Sequence, residues 1–424
     1  MPRPASPLTR RGAGRTRETL LFWIGLALIA LHVLDDNVVQ PQPGTSPGDH
    51  VVSTLVPLAL LGLAAWGYPR LRGGRRAALA LVAGVAGIAG GIEAYYYTRE
   101  LGASGDDYTG WLSLAAGVGL LGLGVVTAFR TRSTEGPLWR RVGRRALLGV
   151  AGFLMVPIVL IAGYGYVTTH VGRAVVPPDH LGVAHEDVTF ETADGLDLHG
   201  WYIPSRNGAA VIAFPGRNGP QKPARILAKH GYGVLLFDRR GEGESEGDPN
   251  SWGWGGEADI KAAIAYLKTR EDVDPARIGG IGNSVGGEMM IEAAADTDDL
   301  KAIVSEGAGA RSTKEDMDEG DGSFAKATLG FAMSVAKTAT VAVSSNQMPP
   351  PDLEDLAAEV EQPMLLIAAP IKGVGERLNR DYDAAAGANS TLWEIPESTH
   401  VGGLEARPEE WEQRVFGFFD EALR

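Results

Sequence analysis

Arg277-Ile-Gly-Gly-Ile-Gly-Asn-Ser-Val-Gly-Gly-Glu-Met-Met-Ile291 reads as a short apolar strand, a glycine-rich turn and the start of a helix. At its centre, Gly282-Asn283-Ser284-Val285-Gly286 is a G-x-S-x-G pattern, and the small residues have a steric reason. A serine held on a sharp strand-to-helix turn leaves no room for Cβ atoms two positions either side of it. Such a turn lifts the hydroxyl above the sheet edge and aims the first backbone N–H groups of the helix at whatever the serine attacks. In a chain with 57 glycines the pattern alone is weak. It also has a rival: Gly280-Ile-Gly282-Asn-Ser-Val-Gly286 fits a dinucleotide-binding turn, and an apolar segment about twenty residues on ends at Glu306. The surroundings decide between them.

The 424 residues exceed one ordinary domain, and their character changes along the chain. Residues 1–173 hold 17 arginines, no lysine and nine acidic residues, a formal charge of +8; the remainder holds 22 basic and 43 acidic residues, or −21, for a total of −13. A basic, apolar first part is therefore joined to an acidic, globular second part. So acidic a second part is a poor partner for nucleic acid. The chain has no cysteine, which excludes a disulfide framework, a thiolate metal site and a cysteine nucleophile.

Five long apolar runs follow one another in the first part: Leu20–Leu34, Val51–Tyr68, Ala77–Tyr97, Trp111–Phe129 and Ala146–Val167. Most reach the roughly 20 residues that a helix needs to cross a bilayer. Residues 1–19 contain five arginines, Pro69–Arg76 four and Arg130–Arg145 six, whereas Asp35–His50 contains none and Thr98–Gly110 one. Positive residues mark the cytoplasmic side, so the N-terminus is expected inside, and five crossings put everything after Val167 on the outer face of the cell membrane. Aromatics at the borders, among them Trp23, Trp66, Tyr95, Trp111 and Tyr164, fit an interfacial belt. Glu93 is an ionisable residue near the outer end of the third run, either solvated there or functional. The plainer reading of residues 1–171 is an anchor.

Gly172–His185, with Pro177-Pro178, reads as a tether. Beyond it, strands and helices alternate, which implies a mostly parallel α/β sheet. Glu186–Thr192 and Asp197–Ile203 read as an opening hairpin. Ala209–Phe214, Gly233–Phe237, Arg277–Ile281, Ala302–Ser305, Met364–Ala368 and Leu392–Ile395 read as later strands, and Glu409–Leu423 as a final helix.

This order resembles the α/β-hydrolase family, of the serine esterase and dienelactone-hydrolase type, over roughly residues 186–424. Phe214-Pro-Gly-Arg-Asn-Gly219 sits where the family has its oxyanion loop after the third strand. Asp238-Arg-Arg-Gly-Glu-Gly-Glu-Ser245 is similar to the D-x-R-G-x-G-x-S turn after the fourth, Ser284 occupies the turn after the fifth, and Glu397-Ser-Thr-His400 follows the last strand as the family's histidine loop does. Four sites in the right order outweigh the dinucleotide reading, whose glycine turn would come after too many strands, in a domain facing away from NAD(P). The expected architecture is an α/β-hydrolase fold with a mostly parallel sheet and a cap insertion at about 307–352, preceded by an all-α membrane domain of about five transmembrane helices.

A serine hydroxyl is a poor nucleophile unless a nearby base removes its proton during attack, and the resemblance makes His400 that base. It also implies oxyanion donors in the backbone N–H groups of Val285 and Arg217. Pro215 stands where the family usually shows histidine. The family's acid is usually an aspartate a few residues beyond the penultimate strand, but Leu365-Leu-Ile-Ala-Ala-Pro-Ile-Lys-Gly-Val-Gly375 contains none. Glu376 is the nearest carboxylate downstream and the first choice; Glu306, at the end of the preceding strand, is the second, ahead of Asp381 and Asp383. The acidic stretch Glu315-Asp-Met-Asp-Glu-Gly-Asp321 lacks EF-hand spacing and reads as a solvated face. No cofactor and no metal are expected.

The resulting expectation is a membrane-anchored serine hydrolase that cleaves an ester or related acyl bond, on a small-molecule or lipid-like substrate, through an acyl-enzyme on Ser284. Two alternatives stand beside it. One is a catalytically silent binding or sensing module, favoured by the missing aspartate; the other is an acyltransferase, which differs only in the nucleophile that resolves the intermediate.

Overall fold

The computed structural model describes residues 7–131, 137–171, 181–319, 323–373 and 375–424. Residues 172–180 of the expected tether and 320–322 of the acidic stretch lie outside the described residues. The chain divides into two compact units, one of Met1–Gln42, Ser46–Val171 and Val335–Asn346, the other of Pro43–Thr45, Gly172–Ser334 and Gln347–Arg424.

The first unit is helical. It contains α1 (Pro7–Leu34), α2 (Val51–Gly67), α3 (Gly73–Leu101), α4 (Asp107–Arg130) and α5 (Leu138–Val167), with a π turn, Asp35–Val39, closing α1. Glycine lets α3 and α4 approach backbone to backbone. A Cβ on Gly117 would lie 2.6 Å from the Ile88 nitrogen, and one on Gly91 would lie 2.5 Å from the Gly110 carbonyl oxygen. Small residues at such a seam are how helices pack where apolar surroundings remove the hydrophobic drive between them. Six helices among the described residues are long and apolar enough to cross a membrane: the five runs read from the sequence, and Lys326–Ser344. The sixth lies inside the insertion expected to form a cap, where alanine, threonine and serine dilute its apolar character. Val335–Asn346, within that insertion, groups with the first unit.

The second unit is built on one eight-stranded sheet in the order β1-β2-β4-β3-β5-β6-β7-β8. Its strands are β1 (Glu186–Glu191), β2 (Asp197–Ile203), β3 (Ala210–Phe214), β4 (Gly233–Phe237), β5 (Ile278–Asn283), β6 (Ile303–Glu306), β7 (Met364–Ala368) and β8 (Ser390–Glu394). Only the pairings of β1 with β2 and of β2 with β4 are antiparallel. Helices cover both faces, so β3, β4 and β7 are buried along their full length and read as continuous apolar runs. Alternation still assigns the faces. Ile212, Phe214, Leu235 and Phe237 pack with α7 (Gly256–Leu267) and α8 (Val285–Asp296). Val211, Ala213, Val234 and Leu236 pack on the other face with α6 (Gln221–Lys229) and α14 (Pro408–Ala422). Each such side chain taken fully out of water stabilises the sheet by about 1.5–3 kcal/mol. This is the α/β-hydrolase fold; Glu306 ends β6, and the segments after β5, β7 and β8 carry Ser284, Glu376 and His400 in turn.

Candidate active site

Ser284 stands between β5 and α8 with φ 54° and ψ −126°, a left-handed conformation that a residue with a Cβ adopts only at a cost. Its N–H donates to the Glu306 carbonyl at 2.8 Å, and its own carbonyl accepts from Gly287 at 2.8 Å. The flanking glycines are required sterically: a Cβ on Gly282 would lie 2.2 Å from the Gly286 oxygen, and one on Gly286 would lie 2.9 Å from the Phe214 oxygen.

His400 Nε2 lies 2.8 Å from Ser284 Oγ, and His400 Nδ1 lies 2.7 Å from Glu376 Oε1. A carboxylate can only accept, so Nδ1–H donates to Glu376, and the Nε2 lone pair is left to accept from the serine hydroxyl. Glu376 is held from its other side by the Ala369 N–H, 2.5 Å from Oε2, and its side chain is 1% exposed. Space for this carboxylate comes from Gly373, where a Cβ would fall 2.1 Å from Oε1. The hydrogen bond to Glu376 raises the His400 pKa above its ordinary 6.5, while partial burial opposes the rise.

Glu306 does not meet the imidazole nitrogen. Its oxygens accept from the Gly403 N–H at 2.8 Å and the Trp411 indole N–H at 3.0 Å, so it ties the end of β6 to the segment after His400. Burial pushes its pKa up, and those two donors oppose the shift. Asp381 and Asp383 lie in α12 (Asn379–Ala386), outside the hydrogen-bonded line.

The two expected oxyanion donors separate. Val285 opens α8, so its N–H is among the first-turn donors that have no acceptor within the helix. Arg217 departs from expectation. Its N–H donates to Asp238 Oδ1 at 2.9 Å, and its guanidinium donates to Asp238 Oδ2 from Nε at 2.8 Å and Nη2 at 2.6 Å. Both side chains are 4% exposed. That amide is committed to a carboxylate from the turn after β4 and is not free for an oxyanion. The pair braces the Phe214–Gly219 loop in which Pro215 stands.

Sequence reading missed Glu288, whose only signal was an acidic residue in the first turn of a helix. Its Oε1 accepts from the Gly309 N–H at 3.1 Å, and Arg311 stands 3.7 Å from Oε2. Burial raises its pKa and Arg311 opposes the rise.

Residues 162–399 match the family described as X-Pro dipeptidyl-peptidase (S15 family). That is more than half of the chain, and the chain belongs to this family. An uncharacterized protein of Mycobacterium tuberculosis is 41% identical over 115 residues, 26% of this chain and 40% of that one. A polyketide transferase of a Penicillium species is 37% identical over 124 residues, again 26% and 40%. A thiohydrolase of Aspergillus aculeatus is 34% identical over 140 residues, 30% and 42%. The matched region thus spans about 40% of the length of these curated relatives. Among solved structures, an esterase of Pyrococcus furiosus aligns with a TM-score of 0.48 at 23% identity, covering 60% of this chain and 98% of that one.

Proposed function

We propose that this chain is a membrane-anchored serine hydrolase that cleaves an ester or related acyl bond through an acyl-enzyme on Ser284. The observation that carries the reading is the continuous line from Ser284 Oγ to His400 Nε2, at 2.8 Å, and from His400 Nδ1 to Glu376, at 2.7 Å. The strained turn that presents the serine supports it. In this reading Ser284 Oγ adds to the acyl carbon as its proton passes to His400 Nε2. The carbonyl oxygen becomes an oxyanion facing the Val285 N–H, and the C–O bond to the leaving group breaks as His400 returns the proton to it. Water then repeats the sequence, losing its proton to His400 and releasing the acid and Ser284. Glu376 stays ionised, holding the imidazole tautomer and stabilising the imidazolium. Glutamate serves as well as aspartate because the role is electrostatic.

The apolar surface of the first unit supports anchoring. Trp66, Leu63 and Phe153 are 64%, 65% and 77% exposed, and surface of that kind on long helices calls for lipid. The arginine count supports an inside N-terminus and an outward catalytic domain.

Amide cleavage is the second reading, favoured by the family description. Acyl transfer is a third, favoured by the name of the Penicillium relative. All three share the Ser284 acyl-enzyme and differ in leaving group or acceptor. The deciding experiment labels the full-length protein in membranes with a fluorophosphonate probe, in wild type, Ser284→Ala and His400→Ala. Labelling that requires both residues is expected; no labelling of folded wild-type protein overturns the enzyme reading in favour of a binding module. Hydrolysis of p-nitrophenyl esters against X-Pro anilides then separates the first two readings, and product formation with an added alcohol acceptor tests the third.

A further inference from the structure

A second group of chemistry-bearing side chains lies wholly within the first unit. Asp36 belongs to the π turn after α1, Glu93 to the C-terminal half of α3, and His170 follows the end of α5. They are 6%, 4% and 9% exposed, and one ligand atom from each lies within 4.8 Å of the others. The sequence offers no local clue to this meeting, since the three residues are separated by more than fifty positions in each case.

His170 is arranged as a donor. Its Nδ1 lies 2.8 Å from the Tyr166 carbonyl oxygen, which can only accept, so Nδ1 carries the proton. Tyr166 also stacks on the imidazole, with ring centroids 3.8 Å apart and planes 16° from parallel, which fixes the ring. The Nε2 lone pair of the neutral ring therefore faces the carboxylates, 3.9 Å from Asp36 Oδ2. That distance is too long for a direct hydrogen bond and short enough for a shared ion. Asp36 is oriented in turn. Asn37 Nδ2 donates to its Oδ2 at 3.1 Å, and Ser53 Oγ donates to Asn37 Oδ1 at 2.7 Å. An imidazole fixed through its other nitrogen to a backbone carbonyl, beside a carboxylate held by an amide, is the outer-shell arrangement found around metal ligands. The π turn that brings Asp36 inward is itself a distortion that recurs at functional sites.

We propose that Asp36, Glu93 and His170 bind one divalent transition-metal ion of the zinc class, tying the end of α1, α3 and the end of α5 together. One nitrogen and two carboxylate donors suit such an ion, whereas Ca²⁺ and Mg²⁺ favour all-oxygen sets. The site is independent of the serine chemistry.

The test uses full-length protein in detergent, purified without a polyhistidine tag, stripped with chelator and titrated with Zn²⁺ in millimolar Ca²⁺ and Mg²⁺. The expected result is one Zn²⁺ per chain by elemental analysis, with a higher thermal unfolding midpoint. The Asp36→Asn/Glu93→Gln double variant is expected to bind about 100-fold more weakly or worse, and His170→Gln likewise. His230→Gln, which removes the surface His230–Glu412 pair in the other unit, leaves the stoichiometry unchanged. The proposal is overturned if stripped wild type takes up no Zn²⁺, if Ca²⁺ or Mg²⁺ displaces it, or if a folded double variant still binds one equivalent. Where the double variant fails to fold, the wild-type titration and His170→Gln decide.

Discussion

The two units differ in what they expose: the first leaves large apolar side chains outside, and the second seals its apolar strands between helices. In the second, apolar strands such as Ala210–Phe214 and Gly233–Phe237 are sealed between helices, and Ser284, His400 and Glu376 form one hydrogen-bonded line. In the first, large apolar side chains such as Phe153 and Trp66 face outward, while His32, Asp36, Glu93, Ser113 and His170 are buried. The same force accounts for both patterns. In water the apolar surface must be hidden; in lipid the polar groups must be, because nothing outside the protein can hydrogen-bond to them. A buried carboxylate therefore means different things in the two units. Glu376 has a histidine proton and a backbone N–H within reach, whereas Asp36 and Glu93 each bring a ligand atom within 4.8 Å of one on His170.

The sharpest break of this contrast is Ser284→Ala. It is expected to lower turnover by about 10⁴–10⁶-fold while leaving the thermal unfolding of both units unchanged, as read by calorimetry. Loss of stability alongside activity would mean that the strained turn needs the hydroxyl for folding as well.

Next is Glu376→Gln, expected to cost about 10³–10⁴-fold in kcat. Glu306→Gln, whose partners are Gly403 and Trp411, is expected to cost less than about 10-fold, with its main effect on stability, on the order of 1–2 kcal/mol. Equal losses of kcat in the two variants would show that the hydrogen-bonded line is not the working one.

The pH profile sharpens the same distinction. Catalysis needs neutral His400, so kcat/KM is expected to fall as pH falls through a pKa lying above 6.5, and Glu376→Gln should move that limb to lower pH. Stability runs the other way. The folded-state pKa is raised, so the stabilisation from the His400–Glu376 pair is fully present below the ordinary pKa and is lost as pH rises through the raised one. A limb below 6.5 in the wild type would mean that burial outweighs the carboxylate.

Arg217→Ala is expected to destabilise the second unit by about 3–5 kcal/mol, because it strands Asp238 as a buried charge. A smaller effect belongs to the first unit. Gly117→Ala is expected to cost about 1–3 kcal/mol by pushing α3 and α4 apart, read as a lower unfolding midpoint in detergent. An unchanged midpoint would mean that the seam relaxes without strain.

Much of this fold was legible along the chain, and the reason is locality. Leu392–Ile395 and Met364–Ala368 read as strands because their residues and flanks favour extended backbone, and the structure has strands at Ser390–Glu394 and Met364–Ala368; the glycines around Ser284 report a turn that only small residues can make. Element boundaries read from the sequence differ from the structure by one or two residues in most strands; β5 starts one residue later and ends two residues later than read, because the last apolar residue does not mark the end of the ladder. The apolar runs of α1–α5 were equally plain. Lys326–Ser344 was less so, since alanine and threonine serve a buried helix and a spanning one alike.

What stayed out of reach was every choice that turned on a partner distant in sequence. Glu306 ends a strand, Glu376 follows one, and both are buried; Gly403, 97 residues from one, and His400, 24 residues from the other, separate them. Arg217 carried the expected position for an oxyanion donor, but its amide is claimed by Asp238, 21 residues away. Asp36, Glu93 and His170 looked unrelated until three helices placed them side by side. The sequence by itself determined which segments are helix or strand and which side chains could do chemistry, because backbone preference and apolar periodicity act over a few residues. Only the tertiary structure decided which of those side chains meet, because hydrogen bonds and ion pairs depend on distances of about 3 Å that no local pattern encodes.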